Sequence, residues 1–146
     1  MTLFCLIPLV FASYTFTPIQ TATHHSADIG GPSAEFQTCR DGFGGRVAFN
    51  DQFVQVGPQY GYTIPLGDDW SITLNVHGGL GYSNTHHPLS GVRQVTKWNG
   101  GASVAVNVDR YSVKCGFDHM SNGRGYDPTN TGQDLLSCGV GVMLWK

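Results

Sequence analysis

Charge is scarce in this sequence: charged residues make up 12% of the chain, the net charge is −2, and the eight basic residues form no run. A nucleic-acid surface is thereby excluded. Long apolar runs are missing as well. No segment approaches the ~20 consecutive apolar residues a spanning helix needs, which excludes a helical membrane protein. From residue 60 onward no helical period is sustained, and the 20 glycines suit strands, tight turns and a barrel wall better than helices. Cysteine is sparse: besides Cys5, only Cys39, Cys115 and Cys138 remain, an odd count that allows at most one intrachain disulfide among them. Metal ligands are not grouped either. His24-His25 and His86-His87 are adjacent pairs with no cysteine or carboxylate at ligand spacing, so no metal and no cofactor are expected.

What is present begins with an apolar stretch, residues 3–12, followed by small and polar residues. It reads as a secretory leader over residues 1–12, ending Val-Phe-Ala, without the usual basic start. The competing reading is an apolar first strand. The remainder, residues 13–146, has the length of one domain.

Alternation dominates that domain. Trp70, Ile72, Leu74, Val76, Leu80 and Tyr82 share one face of a segment whose other face holds Ser71, Thr73, Asn75, His77, Gly79 and Gly81. Val54, Val56, Tyr60, Tyr62 and Ile64 oppose Gln55, Gln59 and Thr63 in the same way, and Val104, Val106 and Val108 oppose Ser103, Asn107 and Asp109. A soluble sandwich or lipocalin-like barrel also alternates. Strand length, aromatic strand ends and a polar face of small residues favour instead a narrow polar lumen with lipid outside. His77, on the lumen face, is expected to be hydrogen-bonded and structural.

The expected fold is all-β, an antiparallel up-and-down transmembrane barrel, with strands at 53–65, 70–83, 100–109, 111–121 and 134–145. Residues 13–50 would supply three short strands to make eight, with a six-stranded or partly open structure as the alternative. Tight turns at 67–69 and 109–110 alternate with long Gly/Asn/Pro-rich links at 84–98 and 122–133. Outer-membrane barrels have short periplasmic turns and long external loops, which puts the C-terminus in the periplasm and residues 118–125 at the outer end of a bacterial outer membrane.

One constellation carries chemistry. On segment 111–121, Tyr111, Val113, Cys115 and Phe117 lead along one face to His119 and Ser121. On the last strand Asp134 shares a face with Leu136, Cys138, Val140 and Val142. Pairing Cys115 with Cys138 also sets His119 opposite Asp134, so two independent pairs agree on one register. Opposed Cβ atoms ~5 Å apart suit an imidazole–carboxylate hydrogen bond. They leave the two cysteines as either a disulfide or a pair of packed thiols. In role, Ser121 would be a nucleophile, His119 its base and Asp134 the orienting acid. Asn122 and the backbone at Gly123 and Gly125 are candidate oxyanion donors, and Arg93, Lys97 and Arg124 candidate partners of lipid phosphates.

The His119-Met120-Ser121-Asn122 motif, followed by the 127–132 loop and an acid opening the last strand, resembles the lipid A 3-O-deacylases, or acyloxyacyl hydrolase-like proteins. The resemblance implies an eight-stranded outer-membrane barrel that removes a 3-linked hydroxyacyl chain from lipid A, with Ser121 as nucleophile, His119 as base and Asp134 as acid. It implies lipid A or lipopolysaccharide as partner; a homodimer is left open. The alternatives are a non-catalytic outer-membrane barrel, structural or adhesive, and a soluble barrel holding an apolar ligand.

Overall fold

The structure, a computed structural model, describes residues 8–16, 31–83, 97–121 and 133–144. Eight antiparallel strands close into a barrel in chain order: β1 (Leu9–Phe16), β2 (Gly31–Gln37), β3 (Gly42–Phe49), β4 (Phe53–Pro65), β5 (Trp70–Ser83), β6 (Lys97–Val108), β7 (Tyr111–Ser121) and β8 (Gln133–Met143). Four strands match the expected positions within a residue at their starts, while β6 begins three residues earlier than the alternation suggested. Residues 13–50 do complete the count, but β1 starts before them.

The expected boundary after Ala12 falls inside β1. Leu9 to Ala12 pair with β2 on one edge and with β8 on the other, so this segment closes the barrel. Leu9 and Phe11 turn inward and are buried, while Ala12 faces out and is exposed. A strand apolar on both faces makes a continuous apolar run. Residues 1–7 of the expected leader lie outside the described residues.

Outside and inside obey one parity throughout. Val113, Val140 and Trp98, all outward, are 59%, 62% and 69% exposed. A wall of that kind is paid for only where lipid replaces water. Trp98 and Tyr82 stand near the outer strand ends, and Trp70, Tyr62 and Tyr111 near the inner ends, as aromatic girdles do. Turns are built locally. Asp109 takes φ 50° in the two-residue β6–β7 turn, a left-handed position that Asp tolerates. At the one short outer link, Asn50 Oδ1 accepts from the backbone N–H groups of Gln52 and Phe53.

The lumen is filled. Its centre holds an ion cluster in which Arg46 donates to both carboxylate oxygens of Asp118, at 3.1 and 3.2 Å, and to Glu35 Oε2 at 3.2 Å. Lys114 Nζ donates to Glu35 and stands 4.4 Å from the Phe11 ring centroid. His77 Nε2 meets Asp118 Oδ1 at 2.5 Å, so His77 is the hydrogen-bonded lumen residue the alternation implied. Gly101 makes room for it: a Cβ there would strike the imidazole and the Phe117 carbonyl. Nearer the inner end Ser112 donates to Asn107 Oδ1 at 2.6 Å, and Asn107 Nδ2 donates to Thr73 at 2.9 Å. In the inner turn, burial lowers the pKa of Arg40 against the opposing charge of Asp109. Ala48, Phe53, Met120 and Leu135 form an apolar cluster toward the outer mouth, and Leu9, Phe11 and Met143 are buried toward the inner one. Between the outer cluster and the ions is a cavity of about 10 Å³, about the volume one water needs.

Candidate functional site

The outward face of β7 and β8 gathers the residues singled out from the sequence. The ladder pairs Cys115 with Cys138, Phe117 with Leu136 and His119 with Asp134. That is the register the sequence pairs require. The two cysteines form a disulfide, while Cys39 is buried.

His119 Nδ1 and Asp134 Oδ1 are 2.6 Å apart. An ionised carboxylate only accepts, so Nδ1–H donates and Nε2 carries the ring's lone pair. The pair is 47% and 38% exposed at the side-chain level. Ser121 lies on the same face, two residues farther out, opposite Trp98 of β6. An imidazole and a carboxylate on the lipid-facing parity are costly at mid-membrane and cheap near the interface. Their place at the outer ends of β7 and β8, level with the aromatic rim, keeps them near headgroups.

Below the pair the wall is hollow. One pleat inward from His119, Phe117 faces Ala102, whose small side chain makes a floor on β6. Val76, Phe117, Leu136 and the Cys115–Cys138 disulfide stand around it, enclosing a shallow apolar groove of about 680 Å³. The sequence reading missed this groove, although Ala102 on a face of β6 that also carries Val104 and Val106 was its signal. It also missed Glu35 and Arg46, each a lone charge on the inward parity of a short strand.

Other expected site residues cannot be placed in this arrangement. Asn122, Gly123, Arg124, Gly125 and Arg93 lie outside the described residues, as do His24, His25, His86 and His87. Lys97 opens β6 opposite Gly81, and its side chain is not among those described. Among the described residues no group of three or more His, Cys, Asp or Glu side chains could hold a metal ion.

A closed eight-stranded barrel with a polar, filled interior and an apolar girdled exterior is an outer-membrane β-barrel, and the protein resides in the outer membrane. Among solved structures, the chain is similar to Neisserial surface protein A, with a TM-score of 0.53 and 12% identity over 94% of each chain. It is also similar to the Yersinia pestis outer membrane protein Ail, with a TM-score of 0.45 and 13% identity over 93% of this chain and 97% of that one. At 12% identity the likeness to the first is one of fold alone. No protein-family model and no curated protein matches the chain.

Membership of the lipid A 3-O-deacylases is therefore overturned, and the ester-hydrolase activity that came with it. The fold that answers to this chain is that of a small eight-stranded outer-membrane β-barrel, and no family model supports the deacylase resemblance. The His119–Asp134 hydrogen bond stands as geometry, without the Ser-His-Asp hydrolase built on it.

Proposed function

We propose that the protein is a non-catalytic outer-membrane barrel, structural or adhesive, whose working surfaces are its external rim and its lipid-facing wall. The filled lumen is the observation that carries this reading. With an ion cluster at its centre, apolar side chains toward both mouths and a cavity of about 10 Å³, the interior is a rigid support and offers no passage. Lipid A of the outer leaflet is the partner assigned to the rim at His119, Ser121 and Asp134. A homodimer is no part of the reading.

Two measurements on the same preparation test it. In a planar bilayer the purified barrel is expected to give no stepwise conductance. Lipid A extracted from cells expressing the wild type and Ser121→Ala is expected to have identical acyl composition by mass spectrometry. Stable conductance steps, or loss of one acyl chain only when Ser121 is intact, would sink the proposal.

A further inference from the structure

We infer that the Cys115–Cys138 bridge is made before the barrel enters the membrane, by exchange with a disulfide oxidant in the periplasm, while β7 and β8 are a hairpin in water. The finished barrel hides the two sulfurs from the chemistry that joins them.

Their position shows why. Both cysteines are exposed on the outward, lipid-facing parity. Cys115 stands four residues from Tyr111 at the inner rim and six from Ser121 at the outer end of β7. With a rise of ~3.3 Å per residue and a tilt of about 40°, the bridge lies roughly 10 Å inside the ~25 Å apolar band. Val104 faces Cys115 from β6 and Tyr14 faces Cys138 from β1. Val113, Phe117, Leu136 and Val140 are the next outward side chains along the two strands.

The chemistry of exchange does not suit that place. A thiolate of the chain attacks one sulfur of the oxidant and displaces the other as a thiolate. The second chain thiolate then attacks the mixed disulfide, closing the bridge and releasing the oxidant as a dithiol. The chain's two thiols lose two protons and two electrons, and the oxidant gains them as its own two thiols. Each attack needs a thiolate. Hydrocarbon has no water to solvate such a charge, and the charge is expensive there. Lys114, the adjacent cation, points into the lumen and is engaged by Glu35, so it does not offset a thiolate on the outer wall.

Topology supplies the earlier moment. β7 and β8 are consecutive strands paired along their length, and the cysteines are 23 residues apart. No other strand is needed to bring the sulfurs together. A lone two-stranded hairpin is marginal in water, so the bridge traps a pairing that otherwise dissolves, in the register that sends both apolar faces outward. The periplasm is the oxidising aqueous compartment on the way to the outer membrane.

The order of events is read in cells sampled at intervals after a burst of synthesis and treated with N-ethylmaleimide to block reactive thiols. Unheated gels separate barrel from unfolded chain, and peptide mass spectrometry of each band scores the bridge. The bridge is expected already in the unfolded band and in the barrel band at every time. A barrel band that begins reduced and gains the bridge later overturns the inference. The cause is read on purified chain folded reduced into phosphatidylcholine vesicles. Oxidised glutathione is expected to join the cysteines about a hundredfold or more slowly there than in the same chain in urea. Iodine, which dissolves in hydrocarbon, should join them in the inserted barrel. Equal rates with oxidised glutathione in vesicles and urea overturn the shielding, and failure of iodine overturns the adjacency of the sulfurs on which the inference stands.

Discussion

Two imidazole–carboxylate pairs stand back to back across the barrel wall, because Asp118 and His119 are neighbours on β7 and point to opposite faces. Inside, His77 and Asp118 are 4% and 5% exposed, and Asp118 also takes two hydrogen bonds from Arg46. Outside, His119 and Asp134 are 47% and 38% exposed. The inner pair is one strut in a mesh with Glu35, Arg46 and Lys114. Its ions were desolvated on folding, so each depends on the others. The outer pair keeps access to its surroundings and has little to lose. The same two residue types are thus architectural on one face and available on the other.

Breaking the inner pair should have the largest effect. Asp118→Ala leaves His77 without its carboxylate and Arg46 with Glu35 as its remaining anion, and should cost about 3–5 kcal/mol, read as a lowered urea midpoint of the folded band on heat-modifiable gels. A mutant as stable as wild type would show that the mesh does not support the barrel. Next comes the link between β7 and β8. Replacing Cys115 and Cys138 together by serine removes a cross-link spanning 23 residues and should cost about 2–4 kcal/mol by the same measurement, with the reduced wild type matching the double mutant. The outer pair should matter least. His119→Ala should change stability by less than about 1 kcal/mol, because a half-exposed pair gains little over solvent. An outer substitution as damaging as the inner one would erase the distinction between the two faces.

Much of this geometry was legible beforehand. Strict alternation placed β4, β5 and β7, and the two cross-strand pairs on β7 and β8 fixed a register that a one-residue slip would have turned inside out. Residues 13–50 were opaque for a physical reason. β2 and β3 have 7 and 8 residues, and their inward charges, Glu35 and Arg46, find each other only when the barrel closes. β1 was hidden because its inward residues, Leu9 and Phe11, are as apolar as its outward Val10. The activity was over-read from His119-Met120-Ser121-Asn122. Parity on a strand shows which side chains can meet, and a four-residue motif adds little about whether chemistry follows from the meeting.

The sulfur bridge also closes a covalent ring over the chain between β7 and β8. Every bond from residue 116 to residue 137 lies within that ring, so a single cut anywhere between β7 and β8 would open it without releasing a fragment. The closing strand would stay attached to its neighbour, and a clipped molecule could remain an intact barrel in the membrane.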